Sequence, residues 1–215
     1  MSKLSIKKYF LKRHGYLECI GYIYQNIKLK KNREVFDFIS KFINGDLYYK
    51  SKDNLRLRKT AYIESGATTI VFKSKNPDQI IGLTNDIFKV LYLKKAEIED
   101  FKLIKTLEIK IKNECHLAFL YSMNKLTELH EFDYDYSEKL SDSLEYAEGE
   151  IEIQNVLSEF DIKDSINEKT LDSLSEHRFS NSVSFSMDIH AGQFMVNKSG
   201  DFICVDPIIS SNISY

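Results

Sequence analysis

Proline and glycine are scarce in this chain, with two prolines (Pro77 and Pro207) and eight glycines in 215 residues. These residues punctuate regular structure, so their scarcity commits most of the sequence to helices and strands. The length suits one domain or two small lobes with a proper core. The apolar fraction of 43% and charged fraction of 29% are those of a soluble globular chain. No apolar run approaches the roughly 20 residues that a bilayer requires. The basic start, "MSKLSIKKYFLKRHGY", lacks the continuous apolar stretch of a secretory signal. Cys19, Cys115 and Cys204 are scattered and odd in number, with neither paired zinc spacing nor a disulfide framework. Reduced thiols in a cytoplasm are the expectation.

The period of the apolar residues changes along the chain. In "REVFDFISKFI" the positions Val35, Phe36, Ile39, Phe42 and Ile43 fall at helical spacing, and Gly45 follows as a stop. "TAYIESGATTIVFKSKNPDQIIGLT" reads as strand, glycine turn, strand, Asn-Pro-Asp turn and strand. "DIFKVLYLKKAEIEDFKLIKTL" returns to a helical pattern, and "LEIKIKNECHLAFLYSMNKL" reads as two strands, first alternating and then almost wholly apolar. The acidic region from 127 to 178 reads as helical with a break near Gly149, and a short hairpin closes the chain. Antiparallel neighbours dominate this order, which makes the expected class α+β.

The net charge of -2 conceals an asymmetry. About half of the Lys and Arg lie in the first 60 residues, whereas "TELHEFDYDYSEKLSDSLEYAEGEIEI" is nearly free of bases. A basic end can meet nucleic acid or membrane. No aromatic-interleaved RNA motif, zinc finger or helix-turn-helix signature accompanies it, so a nucleic-acid partner is not expected.

The closing hairpin, "DIHAGQFMVNKSGDFICVDP", carries the chemistry. Asp188 and Asp206 bound its apolar runs, with His190 and Gln193 between them. A buried carboxylate finds a cation or neutralises, so two acids at the ends of one ribbon point to a shared metal. Turn-capping acids are the other reading. His190 is either a second catalytic group or a neutral histidine held by a nearby carbonyl. Gln193 either ligates magnesium or caps the turn.

"SMDIHAGQFMV...VDP" resembles the catalytic loop and metal-binding strand of the protein-kinase-like superfamily, nearest the short bacteriophage and aminoglycoside-phosphotransferase types. That family places an aspartate, four residues, an asparagine, then a hairpin ending in an aspartate. The resemblance matches Asp188 to the catalytic aspartate, Gln193 to the asparagine and Asp206 to the magnesium aspartate. "ESGATTIVFKSKNPDQIIGLTND" is similar to the glycine-rich hairpin and third strand of the small lobe, with Gly66 in the turn. "AEIEDFKLIKTL" is similar to the helix whose glutamate pairs with the nucleotide-binding lysine, offering Glu97 or Glu99. "LAFLYSMNKL" resembles the fifth strand and hinge, where Met123, Asn124 and Lys125 would meet adenine. The similarity covers about residues 60 to 209.

The resemblance implies a small two-lobed fold with an antiparallel small-lobe sheet. Residues 1-58 are expected to form an N-terminal helical extension, 59-126 the small lobe and 127-215 a truncated helical large lobe. It also implies ATP and Mg2+ as cofactors, a protein substrate or partner, and no membrane. The chain departs from the pattern at the third strand, "IIGLT", where Gly82 or Thr84 replaces the family's lysine. Lys73 is the substitute one strand earlier. Ser186 replaces a frequent histidine, and Pro207 follows Asp206. Two functions follow: atypical phosphoryl transfer to a protein, or a pseudokinase kept as a protein-binding module, of which a phage-encoded protein aimed at a host protein is one form.

Overall fold

The computed structural model describes residues 20–44, 62–65, 68–98, 100–147, 150–162, 183–187, 189–206 and 208–212. The class is α+β, with antiparallel strand pairing throughout the described ladders. The chain divides into two compact units, Met1–Val90 with Glu99–Asn124, and Leu91–Ile98 with Lys125–Tyr215.

The first unit is a five-stranded sheet carrying two helices. The strands are β1 (Tyr62–Ser65), β2 (Thr69–Lys73), β3 (Gln79–Thr84), β4 (Lys102–Ile111) and β5 (Glu114–Asn124). Their spatial order is β1-β2-β3-β5-β4. Burial follows from that order. β5 lies inside the sheet, and its run from Ala118 to Met123 is buried without alternation, as expected of a strand covered on both faces. β4 is an edge strand and alternates from Thr106 onward, burying Leu107, Ile109 and Ile111 while Glu108 and Lys110 are exposed.

Helices α1 (Ile20–Ile27) and α2 (Arg33–Ser40) share one core with this sheet. Ile20, Ile23, Tyr24 and Ile27 lie at helical spacing and bury one face of α1 against Ile70, Phe72, Ile81, Leu83 and Leu120. Each fully buried aliphatic side chain contributes about 1.5–3 kcal/mol of transfer free energy. Asn32, in the 3-10 turn Lys30–Asn32, closes the β4 edge. Its amide nitrogen donates to the carbonyls of Asn26 and Lys110, both at 2.9 Å, and its amide oxygen accepts the Lys110 N–H at 2.8 Å. A side-chain amide thus satisfies backbone groups that an edge strand would otherwise expose. Beyond α2, Ile43 forms an antiparallel bridge with Ser74. Gly45, read as the helix stop, lies outside the described residues.

Helix α3 (Ile87–Lys95) follows β3 directly. Buried Asp86 caps it, its Oδ1 accepting the N–H groups of Phe88 at 2.8 Å and Lys89 at 3.3 Å. The helix begins in the first unit and ends in the second. It is shorter than the sequence pattern suggests, and the helix expected over "AEIEDFKLIKTL" is corrected. The Ile98 N–H returns to the Leu93 carbonyl at 3.3 Å, with Glu97 in the left-handed region at φ 51. That closure stops the helix. From Lys102 the chain pairs along β5, because alternating apolar residues bury one face there and the helical period cannot.

The second unit holds three short helices, α4 (Leu129–Phe132), α5 (Tyr134–Glu145) and α6 (Glu150–Glu159), among its described residues. Asp133 caps α5 by accepting the Tyr136 N–H at 3.0 Å. The described part of the acidic region, up to residue 162, carries these helices as expected, except that Thr127–Glu128 forms strand β6, pairing with Met195 and Val196; residues 148–149, at the expected break, and 163–178 lie outside the described residues. Leu140, Leu144 and Leu157 bury against Phe194, Val196 and Cys204. Tyr136 stacks on Phe202 at 5.2 Å, meets the Phe160 ring edge-on at 5.3 Å, and donates its hydroxyl to the Phe160 carbonyl. Strands β7 (Val183–Met187) and β10 (Ile208–Asn212) pair in register, Met187 opposite Ile208.

Candidate functional site

The candidate site is built on the closing hairpin, β8 (Phe194–Val196) and β9 (Phe202–Cys204). Its loop is fixed by local chemistry. The Asn197 side-chain oxygen accepts the N–H groups of Ser199 at 2.9 Å and Asp201 at 2.8 Å. Its amide nitrogen donates to the Asp201 carboxylate at 2.9 Å. Gly200 takes φ 90, a value that favours glycine. At the hairpin's base the 3-10 turn Ala191–Gln193 leads into β8, its Gln193 N–H bonding the His190 carbonyl at 2.9 Å.

Most of the residues named from the sequence belong to the second unit. His190 is exposed, and its Nε2 lies 2.9 Å from the Gln193 amide nitrogen. With that amide donating, His190 carries its proton on Nδ1. Gln193 and Asp206 are brought to the same end of the hairpin, because the Val205 N–H donates to the Gln193 carbonyl at 2.9 Å. Asp206 is half-buried. Lys125 is exposed, at the start of the segment leading to β6. Asp188 lies outside the described residues. Its neighbour Met187 pairs with Ile208, and its other neighbour, Ile189, is buried in the core.

Glu97, also in this unit, is exposed and sits past the end of α3 rather than on a helix. Glu99 lies outside the described residues.

In the first unit, Met123 is buried opposite Ile80, and Gly66 lies outside the described residues. Lys73 is exposed at the end of β2, and its carbonyl accepts the Asn44 N–H at 2.8 Å. The third strand has no room for a cation. Gly82 faces Tyr121 across the ladder, and a Cβ at position 82 would overlap the Cζ, Cε1 and hydroxyl of the tyrosine. Phe101 holds that ring at 5.5 Å between centroids, and Tyr121 is buried. The Thr84 hydroxyl is engaged too, donating to the Thr68 carbonyl at 2.8 Å and accepting the Asp86 N–H at 3.1 Å.

Sequence reading missed three features. Tyr121 occupies the space above Gly82; a glycine inside a strand pattern is itself a signal of close approach. Lys89 is the one buried lysine among the described residues. Tyr92, on α3, is fully buried and donates its hydroxyl to the Cys204 carbonyl at 3.2 Å. Burial, then the neighbouring Cys204 and Asp206, hold its phenol far above the ordinary range, so it stays a donor. A tyrosine among the apolar residues of such a helix carries no local sign of a distant carbonyl partner.

The Asp206 carboxylate and Gln193 amide oxygen are hard oxygen donors of the kind magnesium takes. Among the described residues no group of three or more His, Cys, Asp or Glu side chains converges for a metal. No family model, curated protein or solved structure matches this chain. Among the described residues no helix is long and apolar enough to cross a membrane.

Proposed function

We propose that this chain is a divergent kinase-like protein that binds a magnesium nucleotide and transfers phosphoryl groups slowly to a protein. The supporting observation is the hairpin that brings Gln193 and Asp206 to one end, following a strand–turn–strand, strand, helix, strand, strand order. In this reading Asp188 orients the acceptor hydroxyl, Gln193 and Asp206 hold Mg2+, and backbone groups around Met123 and Lys125 meet adenine. Gly66 and Lys73 belong to the nucleotide side, and His190 steadies Gln193. Glu97 loses its proposed lysine-pairing role with its helix. Positioning and electrostatics supply nearly all the catalysis in phosphoryl transfer. A missing third-strand cation therefore makes the reaction slow unless Lys89 or Lys73 replaces it.

The second reading, an inactive module that binds a host protein in the cytoplasm, is favoured by the Tyr121 ring seated on Gly82. One experiment separates the two. A ligand that binds only the folded state raises the unfolding midpoint. The active reading expects a higher midpoint with millimolar ATP and magnesium, lost in Asp206→Ala, and label transfer lost in Asp188→Ala. Transfer from ATP lost in Lys89→Met but kept in Lys73→Met would locate the replacement cation. An unchanged wild-type midpoint leaves the binding module.

A further inference from the structure

One peptide group in the hairpin is held at both ends. The carbonyl of Cys204 and the N–H of Val205 belong to the same planar unit. The carbonyl accepts the Tyr92 hydroxyl at 3.2 Å, and the N–H donates to the Gln193 carbonyl at 2.9 Å. The next residue is Asp206. Tyr92 stands 112 positions away in sequence from the carbonyl it holds, so this is a tertiary device. Rotating the pinned peptide would break a bond at one end or the other. A buried phenol keeps its hydroxyl partnered because losing the partner is costly.

We infer that Tyr92 is a positioning residue for the metal ligands, fixing the peptide that joins the Gln193 rung to Asp206 and so the direction in which the Asp206 carboxylate leaves β9. The inference rests on the magnesium-nucleotide reading above. Tyr92 touches neither metal nor nucleotide in this scheme; it acts through the backbone. Releasing the carbonyl lets the peptide plane swing and spreads the orientations of Asp206, and the cation is bound more weakly at unchanged ligand chemistry.

The test uses the full chain and Mn2+ as a spectroscopic substitute for Mg2+, titrated by electron paramagnetic resonance in the presence of ATP. Tyr92→Phe keeps the ring and removes only the donor. It is expected to weaken Mn2+ binding roughly three- to tenfold, the equivalent of one hydrogen bond. Amide exchange is expected to quicken at Val205 and not at Asp201, whose N–H is held by Asn197. Asp206→Asn is expected to weaken Mn2+ binding further, and adding Tyr92→Phe to it should change nothing more. Equal Mn2+ affinity in wild type and Tyr92→Phe overturns the inference, as does unchanged exchange at Val205 or a further loss in the double variant. Absence of Mn2+ binding by the wild type overturns the magnesium reading instead, and the Val205 exchange rate still decides whether Tyr92 pins the peptide.

Discussion

The two units hold their chains in place by different means. In the first, regular ladders satisfy the backbone, and helices α1 and α2 close one aliphatic cluster over the sheet. In the second the ladders are two to five residues long, and tyrosine hydroxyls fix the irregular chain between them: Tyr136 on the Phe160 carbonyl and Tyr92 on the Cys204 carbonyl. A long ladder leaves few backbone groups to spare. Short strands leave many, and side-chain donors then decide where the chain points. The candidate metal ligands sit in the unit of the second kind, where small chemical changes can redirect a carboxylate.

The contrast predicts a descending series of effects. Phe72→Ala strikes the centre of the first unit's cluster, beside Tyr24 at 5.7 Å between ring centroids. It is expected to cost about 3–5 kcal/mol in urea unfolding. A loss under 1 kcal/mol would mean that this core is far less close-packed than its burial indicates.

Gly82→Ala forces a methyl group into the Tyr121 ring and is expected to cost about 1–3 kcal/mol. Tyr121→Leu removes the overlapping atoms, so in that background Gly82→Ala should be nearly neutral. Equal costs in the two backgrounds would show that the ring does not decide the glycine.

Asn32→Ala leaves the Lys110 N–H and carbonyl without their amide partner at the sheet edge. A loss of about 1–3 kcal/mol is expected, with faster exchange of the Lys110 amide. In the second unit, Tyr136→Phe keeps the stack on Phe202 and removes one donor, so about 1 kcal/mol is expected. Parity of these two losses would show that the number of hydrogen bonds removed does not decide the cost, since the first removes two bonds to an edge strand and the second only one.

The last effect concerns pH. Burial lowers Lys28 from 10.5 to about 8, with its Nζ 4.1 Å above the Tyr24 ring. Between those values the unfolded chain holds a proton that the folded one has released, so raising the pH through that window stabilises the fold. Wild type should therefore gain urea resistance between about pH 8 and 10.5, and Lys28→Met should gain less. Parallel curves would place Lys28 in water.

Much of the architecture was legible because its causes are local. The alternation of Leu107, Ile109 and Ile111 marks an edge strand, and the almost wholly apolar run in the next strand marks one covered on both faces. Asn197 and Gly200 spell out the hairpin loop. The segment from Ala96 to Leu107 was misread because Ile98, Leu103, Ile104 and Leu107 fit a helical period as well as a strand. Pairing with β5 settled it.

The sequence by itself determined the periods, the caps, the turns and the placement of Gln193 and Asp206 on one ribbon, since each depends on residues a few positions apart. Only the tertiary structure decided that Tyr121 fills the space above Gly82, that Lys89 is buried, and that Tyr92 holds the carbonyl ahead of Asp206. Those outcomes rest on partners 39 to 112 positions apart, or on which face of a helix is covered. No local pattern encodes such pairings, because they exist only once the chain has packed.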